Sequence, residues 1–551
     1  MKATKLNDAI AESIRRNWTH PALSDSDGAT TTYADLADRI ARLHILFDKS
    51  GVKPGDRIAL CGKNSSNWAA SFLAAVTYGA VAVPILHDFQ VENIHNLVTH
   101  SEAVILFAES RIWRKLNPTM MPLLKGAVAI DDFQALYSTE GFGLADNILR
   151  LNEEFGRRYP SSFGKENVNY FTPADDSDLA VINYTSGSTG FSKGVMISYR
   201  ALMSNLRFAI ENIPYLFPDD GTVSMLPMAH MFGLVIELMF PLLKGCHIHF
   251  LARVPAPSVV LKVFAEVKPK LIISVPLIIE KIVRGKVFPQ LERQPVKTLV
   301  KIPGIRGIIY KKIRASLLEA FGGNLQQLVV GGAAMSRDIE EFLRMIKFPY
   351  TVGYGMTECA PLICYAPWNE NKVGSCGRVV DRMRLRVESP DPANIPGELW
   401  VNGDNVMSGY FKNPDATDAV MRDGWMNTGD VCQLSPDGFL FIRGRNKSMI
   451  LGPSGQNIYP EEIETRIDAS PLVMESVVVE RDGKIIALVH PDYEKGKQQG
   501  LDKEQVDKQV RAYLPQINAK LASYEKIAGI EIRDSEFEKT PKRSIKRYLY
   551  K

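Results

Sequence analysis

The sequence lacks the usual features of secreted and membrane-spanning proteins. Its six cysteines are scattered without a CxxC pair, which predicts free thiols and neither a disulfide framework nor a zinc site. The amphipathic N-terminus MKATKLNDAIAESIRRNW has no apolar signal-peptide core, and no apolar run reaches the roughly 18 residues that span a bilayer. We therefore expect a cytoplasmic protein, with peripheral contact at the inner face of a membrane left open.

The chain also lacks fixed-period repeats and low-complexity tracts. Its 551 residues exceed what one hydrophobic core usually supports, so two or more domains are expected. A content of 45% hydrophobic and 23% charged residues excludes a disordered chain. The basic residues occur without an aromatic reader motif or a helix-turn-helix pattern, so no nucleic-acid partner is predicted.

Apolar, strand-like runs alternate with amphipathic helical stretches over most of the chain. The runs that predict buried strands include DRIALCGKN, LAVINYTSG, HIHFLARV, PKLIISVP and LQQLVVGGA. This alternation predicts an α/β fold with largely parallel sheets. Near residue 380 the short runs RLRVESP, GELWVNGD and GFLFIRGR replace it, and they predict an antiparallel, β-barrel-like section over about 370–443.

After IRGRNKSMI the pattern changes to a small α+β region. EEIETRIDA and the segment 501–522 are typical of helices, and ESVVVERDGKIIALVHP predicts a hairpin that turns at Asp482-Gly483. We place the domain boundary near Lys447. The predicted organisation is therefore a large N-terminal domain, residues 1–446, and a small C-terminal domain, residues 447–551.

A loop rich in glycine and hydroxyl residues follows the strand LAVINYTSG. The stretch YTSGSTGFSKGV, residues 184–195, lets backbone N–H groups approach an anion, and its hydroxyls and Lys193 add donors and charge. A Walker loop needs GK followed by Ser or Thr, whereas Gly194 follows Lys193 here. The loop is therefore interpreted as a phosphate site of another type, against the alternative of an ordinary surface loop.

YTSGSTGFSKGV resembles the signature loop of the adenylate-forming superfamily, which comprises acyl-CoA synthetases, the adenylation domains of peptide synthetases and firefly luciferase. Further motifs resemble those of the family in the same order over roughly residues 25–551. They are LPMAHMFGL (226–234), VVGGAAM (329–335), GYGMTECAP (353–361), GWMNTGD (424–430), RGRNKSMI (443–450) and SGQNIYPEEIE (454–464). The resemblance implies ATP-dependent formation of an acyl-adenylate, transfer of the acyl group to a thiol, and a mobile C-terminal domain.

The resemblance also implies roles for individual residues. Tyr354 would stack on adenine, Asp430 would accept hydrogen bonds from the ribose hydroxyls, and Lys447 would be the hinge. Thr185 and Glu358 would hold Mg²⁺. The catalytic candidates are Lys193, His230, Thr357 and Glu358. The ATP-binding candidates are Thr185, Ser186, Gly187, Ser188, Thr189, Gly190, Lys193, Gly332, Ala333, Gly353, Tyr354, Gly355, Met356, Thr357, Asp430 and Arg445.

The expected acyl group is a fatty acid of medium to long chain, and the expected acceptor is coenzyme A. Amino-acid-activating members usually carry an Asp where this chain has the apolar run LIISVPLIIEK. The candidate pocket is mostly small or apolar, which suits an alkyl chain, since burial contributes about 0.8 kcal/mol per CH2. Its wall is His230, Phe232, Gly233, Val330, Gly331, Gly332, Gly355, Met356 and Cys359. The motifs resemble those of long-chain fatty acyl-CoA synthetases.

The tail EKTPKRSIKRYLYK resembles the last motif of the family, Thr-Pro-x-x-Lys-Ile-x-Arg, except that Ser544 stands where the catalytic lysine is expected. A serine carries no charge to stabilise the reacting carboxylate and phosphate. Either Lys542 or Lys546 replaces it, with Lys542 preferred, or adenylation is slow. Two other functions stay open: a ligase with the same first half-reaction that loads an acyl carrier protein, and, because of Ser544, a degenerate member that binds acyl-adenylate or nucleotide.

Residues 262–314 are strongly basic, with thirteen Lys or Arg against three acidic residues. These charges alternate with apolar stretches such as LVKIPGIRGIIY. One interpretation is a solvated face around core helices. The other is a surface that contacts anionic lipid, where a poorly soluble fatty acid would be collected.

Overall fold

The computed structural model describes most of the chain. The described residues are 4–26, 28–185, 193–251, 257–302, 304–445, 448–451, 457–481, 483–521, 525–539 and 545–550. Within them no helix is long and apolar enough to cross a membrane.

Residues 4–251 alternate strands and helices. The strands are β1 (Pro21–Ser24), β2 (Thr30–Thr32), β3 (Arg57–Cys61), β4 (Val81–Ile85), β5 (Ala103–Ala108), β6 (Gly126–Ala129), β7 (Ala135–Ser138), β8 (Leu179–Thr185), β9 (Lys193–Ser198), β10 (Gly221–Ser224) and β11 (His247–Phe250). The helices are α1 (Leu6–Arg16), α2 (Tyr33–Lys49), α3 (Ser66–Tyr78), α4 (Val91–His100), α5 (Ser110–Trp113), α6 (Leu144–Leu149), α7 (Leu151–Arg158), α8 (Tyr199–Asn212) and α9 (Phe240–Lys244), with 3-10 turns at Pro118–Met120 and Lys165–Asn167 and a π-helical segment at Gly233–Met239.

The alternation continues to residue 352 and then gives way to strands. The strands are β12 (Leu271–Ser274), β13 (Gln327–Val330), β14 (Tyr350–Val352), β15 (Tyr354–Gly355), β16 (Leu362–Tyr365), β17 (Arg378–Val379), β18 (Met383–Glu388), β19 (Gly397–Gly403), β20 (Gly409–Tyr410), β21 (Met421–Arg422), β22 (Trp425–Leu434) and β23 (Leu440–Arg445). The helices are α10 (Pro257–Val267), α11 (Pro276–Ile282), α12 (Phe288–Glu292), α13 (Val296–Leu299), α14 (Ile305–Ala320), α15 (Arg337–Met345) and α16 (Pro414–Asp418), with a π-helical segment at Val283–Val287 and a 3-10 turn at Thr357–Cys359.

Residues 448–550 form the small α+β region. Its strands are β24 (Ile450–Leu451), β25 (Asn457–Ile458), β26 (Val473–Arg481), β27 (Lys484–Pro491) and β28 (Gly529–Ile532). Its helices are α17 (Pro460–Asp468), α18 (Tyr493–Gln498), α19 (Lys503–Ala512) and α20 (Leu514–Asn518), with a 3-10 turn at Arg547–Leu549. The predicted hairpin is confirmed as β26 and β27, and its turn residue Gly483 has a φ of 71°.

Local sequence accounts for where the elements begin and end. Thr32 caps α2 through a reciprocal pair of hydrogen bonds with Asp35. Gly79 ends α3 in the left-handed region, at a φ of 92°, and a Cβ there would lie 2.7 Å from the ring of Phe171. The next strand, β4, is buried along its whole length, as the apolar run predicted.

The largest sheet has eight strands in the order β20-β9-β8-β4-β3-β5-β6-β7. Its centre, from β8 to β6, is parallel, and its edges are antiparallel. A second sheet, β10-β11-β1-β2, and a parallel third sheet, β12-β13-β14, complete the α/β part. The predicted α/β architecture with largely parallel sheets is therefore confirmed.

The predicted change near residue 380, from alternating strands and helices to short antiparallel strands, is also confirmed. β15, β16 and β17 form one antiparallel sheet, and β18, β19, β21, β22 and β23 form another. The C-terminal region has its own three-stranded sheet, β26-β27-β28, and its own buried cluster around Ile463, Val489 and Val510. This cluster is separate from the N-terminal cores, so the structure has a distinct C-terminal domain.

Candidate active site

The phosphate motif joins two neighbouring strands of the eight-stranded sheet. β8 ends at Thr185, β9 begins at Lys193, and these two residues are antiparallel Cα partners. The motif follows the strand as predicted, and β8 and β9, here called the phosphate hairpin, are neighbours in the sheet on either side of it. The candidates between them lie outside the described residues, and they are Ser186, Gly187, Ser188, Thr189 and Gly190.

Tyr410 links the lysine of this hairpin to the acidic candidate. β20 pairs with β9, so Tyr410 lies beside Val195. The Lys193 ammonium stands 4.6 Å from the centroid of the Tyr410 ring, and the Tyr410 hydroxyl donates to Glu358 Oε1 at 3.0 Å. Two candidates that are distant in the sequence therefore flank one aromatic ring.

Glu358 lies in the 3-10 turn Thr357–Cys359 and is only 8% exposed. Its carbonyl accepts a hydrogen bond from Met407 N at 2.8 Å. Just before the turn, a Cβ on Gly355 would lie 2.2 Å from the Pro361 carbonyl oxygen, so only glycine fits there. The acidic side chain is thus carried on a turn that backbone contacts hold on both sides.

Tyr354 and Arg445 both contact Asp430. The Tyr354 hydroxyl donates to Asp430 Oδ2 at 2.5 Å, and Arg445 Nε donates to Oδ1 at 3.1 Å. Burial raises the pKa of the Asp430 carboxyl, against the opposing effect of these two donors. Because each oxygen has more than one acceptor site, the carboxylate can still accept from a pair of ribose hydroxyls.

The candidate acyl residues come from three elements that meet. Gly331 N donates to Ser274 O at 3.1 Å, and Gly353 N donates to Val330 O at 2.9 Å, which joins the ends of the third sheet. A Cβ on Gly331 would lie 3.0 Å from the ring of Phe232. The structure therefore brings Phe232, Val330 and Gly331 together. Cys359, by contrast, is the last residue of the turn that carries Glu358 and is fully buried.

The remaining candidates lie on the turns that follow β13 and β15. Gly332 follows Gly331 in the left-handed region, at a φ of 85°, and Ala333 comes directly after it. Met356 N donates to the Pro361 carbonyl at 2.8 Å, so Met356 enters the turn that Thr357 opens.

His230 lies in a tight turn before the π-helical segment. Its N–H donates to Pro227 O at 3.0 Å, and its carbonyl accepts from Leu234 N at 2.8 Å. A Cβ on Gly233 would lie 2.6 Å from Pro227 O, so this glycine allows the helix to approach the turn. π-helical turns are frequent at functional sites.

Two groups of site residues could not be identified from the sequence. Tyr410 is placed by the pairing of β20 with β9, which spans more than 200 residues and leaves no local signal. Asn64, Asn183 and Glu237 contact the backbone around His230, but isolated Asn and Glu residues in apolar surroundings carry no motif.

The C-terminal candidates are only partly described. Lys447, Lys542 and Ser544 lie outside the described residues. Lys546 forms an ion pair with Glu538 at 3.4 Å. The last arginine of the tail motif, Arg547, forms an ion pair with Glu464 of α17.

Thr185 and Glu358 fit a magnesium ion by the chemistry of their donors. Among the described residues, no three or more His, Cys, Asp or Glu side chains form a group that could hold a metal. Mg²⁺, however, usually takes one or two carboxylates together with substrate phosphates and water. Glu358 supplies one buried carboxylate that accepts from Tyr410, and the Tyr410 ring contacts Lys193. Because Lys193 is the Cα partner of Thr185, the two proposed ligands belong to adjoining parts of one site.

Two family models match the chain. The model described as AMP-binding enzyme matches residues 10–411, and the model for the AMP-binding enzyme C-terminal domain matches residues 447–550. A long-chain-fatty-acid–CoA ligase of Mycobacterium bovis is 29% identical over 480 residues, which are 82% of this chain and 76% of the relative. Long chain acyl-CoA synthetase 4 of Arabidopsis thaliana is 27% identical over 475 residues, which are 79% and 68%.

Solved structures share the fold. ATP-bound MatB from Rhodopseudomonas palustris has a TM-score of 0.74 at 23% identity and covers 98% of both chains. The anthranilate CoA ligase AuaEII in complex with anthranoyl-AMP has a TM-score of 0.78 at 19% identity, with 99% of this chain and 96% of that one covered. Because the first model alone matches most of the chain, this protein belongs to the AMP-binding, adenylate-forming enzymes and resembles their long-chain acyl-CoA synthetases.

Proposed function

We propose that the protein is an AMP-forming acid–thiol ligase that activates a medium- to long-chain fatty acid and transfers it to coenzyme A. Two sets of contacts carry the proposal. In the first, Lys193 lies over the Tyr410 ring and the Tyr410 hydroxyl donates to Glu358. In the second, Tyr354 and Arg445 both donate to Asp430. The names of the relatives support the same chemistry.

The first half-reaction joins two anions, so the site must neutralise charge and fix geometry. Lys193 and the loop that it closes would hold the β- and γ-phosphates of ATP. Thr185 and Glu358 would hold Mg²⁺, which neutralises phosphate oxygens when bound. Asp430 would orient the ribose, and Tyr354 would cover the adenine with its ring.

The acid would lie along Phe232, Gly331 and the ends of the third sheet. Carboxylate attack on the α-phosphate would expel pyrophosphate, with His230 beside the reacting carboxylate. A thiol would then attack the acyl carbonyl and release AMP. The apolar wall of the pocket supports an alkyl chain, because no carboxylate among its proposed residues would answer a substrate ammonium.

The domain organisation is part of the proposal. Residues 1–446 would form the adenylation domain, and residues 447–551 would rotate about Lys447 between the two half-reactions. The separate core of the C-terminal domain supports rotation as one body. Its helix α17 contacts β23 through the half-buried Arg443–Glu462 ion pair at 3.4 Å, which the rotation would have to break.

Acid-dependent release of pyrophosphate tests the function. The purified full-length protein is given ATP, Mg²⁺ and each carboxylic acid from C2 to C18, with and without coenzyme A. We expect release with medium- and long-chain acids and acyl-CoA only when coenzyme A is present. The proposal would be overturned if none of the acids from C2 to C18 supported release of pyrophosphate.

The alternatives predict different results in the same assay. A ligase for acyl carrier protein would form the adenylate but would transfer it to the carrier's pantetheine thiol and not to coenzyme A. A degenerate member would bind ATP without pyrophosphate exchange. The absence of the expected lysine at Ser544 is the feature that favours this second alternative.

We also propose that the basic segment 262–314 contacts an anionic membrane. Ile302, just before α14, is 43% exposed, and Ile308, in the first turn of α14, is 62% exposed. Lys301, Arg306 and Lys311 are exposed around them. An apolar tip surrounded by cations is the arrangement that peripheral proteins use on anionic lipid.

Vesicle sedimentation tests this contact. We expect binding to vesicles that contain phosphatidylserine at low salt, weaker binding at high salt, and little binding to neutral vesicles. The double variant Ile302→Ser/Ile308→Ser should bind less, while retaining pyrophosphate release with a soluble medium-chain acid. Equal and negligible binding of the unmodified protein at both salt concentrations would overturn the proposed contact.

A further inference from the structure

Residues 225–230, here called the His230 segment, are held by polar side chains from three separate elements. The segment leaves the end of β10 and leads directly to His230. Five of its backbone N–H or carbonyl groups are bonded to buried or half-buried side chains. Such density of side-chain contacts on a connecting segment is unusual, since most loop groups bond to backbone or water.

The first contact comes from the π-helical segment that follows. Glu237 Oε2 accepts from Met225 N at 3.0 Å and from Leu226 N at 2.8 Å. The Ser224 hydroxyl reaches the same oxygen at 3.4 Å. Glu237 is 2% exposed, and burial raises the pKa of its carboxyl well above the usual range.

The second contact comes from the loop between β3 and α3. Asn64 Nδ2 donates to Leu226 O at 2.7 Å and to Ser224 Oγ at 3.2 Å, while its Oδ1 accepts from Met228 N at 2.9 Å. The Asn64 amide thus joins Ser224 at the end of β10 to Leu226 and Met228 in the His230 segment. Ser224 connects this amide to Glu237, which makes the two contacts one network.

The third contact comes from the phosphate hairpin. Asn183 Nδ2 donates to Ala229 O, the carbonyl next to His230, at 2.8 Å, and the side chain is fully buried. Asn183 and Thr185 lie two residues apart in β8 and therefore face the same side of the sheet. The strand that carries the phosphate motif thus also holds the turn that carries His230.

We propose that Glu237 is a positioning residue: it fixes the backbone of the His230 segment so that the His230 ring keeps a constant place beside the phosphate hairpin. Asn64 and Asn183 complete this arrangement from the other two sides. The inference rests on the proposed function, in which His230 lies beside the reacting carboxylate. It differs from a stability role, because the contacts end on the one segment that bears the candidate side chain.

Variants at Glu237 separate the acceptor from the size of the side chain. Glu237→Met keeps the volume but removes the acceptor of two backbone N–H groups, whereas Glu237→Gln retains one acceptor oxygen. We expect Glu237→Met to lower the kcat of acid-dependent pyrophosphate exchange by about 10- to 100-fold, with a KM for ATP within about threefold of the original value. Glu237→Gln should restore most of the loss.

A double-mutant cycle with His230→Ala distinguishes positioning from general destabilisation. If Glu237 acts through His230, then Glu237→Met should lower kcat by less than about threefold when His230 is already Ala. Multiplicative losses in the double variant would overturn the inference. An unchanged exchange rate in His230→Ala alone would overturn it by removing its premise, whereas absent exchange in the unmodified protein would overturn the proposed function itself.

A pair of buried asparagines provides the matched control. Asn7 resembles Asn183: it is fully buried and donates to backbone carbonyls, at 3.1 Å to Val76 and 2.7 Å to Phe171, but these lie away from the site. Both Asn183→Leu and Asn7→Leu should lower the melting temperature, but only Asn183→Leu should lower kcat. Should Glu237→Met fail to fold, this pair still decides, since equal kcat values in the two Leu variants contradict the inference.

Discussion

The hydroxyl of Tyr354 donates to Asp430 Oδ2 at 2.5 Å, although the two residues are 76 positions apart. The motifs that are proposed to bind adenine and ribose are therefore joined by a direct hydrogen bond. Arg445 Nε approaches the other oxygen at 3.1 Å, and this cation comes from the last residue of β23. The carboxylate is thus oriented from both sides, which fixes the direction in which it can accept further hydrogen bonds.

Tyr354→Phe should weaken ATP binding more than it changes turnover. The variant keeps the ring but removes the donor that orients Asp430, and a hydrogen bond to a charged group contributes about 1.5–3 kcal/mol. We expect the KM for ATP in pyrophosphate exchange to rise about tenfold, with kcat within about threefold. Tyr199→Phe is the control, because its buried hydroxyl donates to Val76 O at 2.7 Å, away from the site. A KM that rises equally in both variants would contradict a specific role.

Glu358 and Tyr410 should control the dependence on magnesium. Glu358→Gln removes the negative charge of the proposed ligand, so exchange should fall about 100-fold at saturating Mg²⁺. Tyr410→Phe removes only the donor to Glu358 Oε1, and such supporting contacts change metal affinity by about 10-fold. The measurement is exchange rate against Mg²⁺ concentration. An unchanged half-saturating concentration in Tyr410→Phe would show that the hydroxyl does not orient the ligand.

Gly331→Val should shorten the acyl chain that the enzyme prefers. The Cβ of any residue at this position would lie 3.0 Å from the Phe232 ring, so added methyl groups occupy the proposed pocket. Each excluded methylene would cost about 0.8 kcal/mol of burial, or roughly fourfold in kcat/KM. The C2 to C18 acid series measures the shift. Gly307→Ala is the control, because a Cβ there meets nothing within 4 Å, and it should leave the profile unchanged.

Glu340→Gln should stabilise the protein in a pH-dependent way. Burial raises the pKa of the Glu340 carboxyl from 4.5 to about 7, so the folded state binds this proton more tightly than the unfolded state does. The resulting stability is complete below pH 4.5 and is lost as the pH rises to 7. The stability of Glu340→Gln minus that of the unmodified protein should therefore grow by about 3 kcal/mol over this interval and then level off.

Thermal unfolding between pH 4 and pH 9 measures this difference. Glu341→Gln is the matched control on the same helix, because its side chain is 53% exposed and pairs with Arg337 at 2.9 Å. It should shift the melting temperature by the same small amount at every pH. A constant difference for Glu340→Gln would mean that the carboxyl is not protonated in the folded protein at neutral pH.

The sequence was sufficient wherever a signal was local and periodic. The buried parallel strands, the glycine that ends α3 and the hairpin β26–β27 follow from apolar runs and from Gly79 and Gly483. The candidate residues were located by the order of their motifs. Contacts between motifs could not be predicted in this way, because pairing partners such as β9 and β20 are set by the packing of the whole sheet.

The same limit explains the missed residues. Tyr410 and Asn183 are ordinary residue types in ordinary local patterns, and their roles follow only from neighbours contributed by distant elements. Glu237 differs from them. A buried Glu within the run GLVIELM conflicts with the apolar pattern around it. Such a local conflict is a signal for function, since a buried carboxyl is retained only where its hydrogen bonds offset its desolvation.

The basic tail is where we expect to find the charge that replaces the missing lysine during adenylation. Lys546 is paired with Glu538 at 3.4 Å and follows Ile545, whose side chain packs against the C-terminal sheet. The charge of Lys546 is therefore already partly neutralised, which favours Lys542 as the replacement for the lysine that is missing at position 544. Lys542→Ala should lower the kcat of pyrophosphate exchange about 10- to 100-fold, and Lys546→Ala less than about threefold.

Thioester formation from supplied acyl-adenylate is the internal comparison for these tail variants, because the missing lysine is proposed to act in the first half-reaction. Both variants should retain this second step. Lys503→Ala is the control for loss of a surface charge on the same domain, since Lys503 pairs with Asp534 at 2.7 Å in an exposed position. If exchange is equally fast in Lys542→Ala and Lys503→Ala, Lys542 does not replace the missing charge. Ser544→Lys should then accelerate adenylation, because it places a cation at the position where the family motif has its lysine.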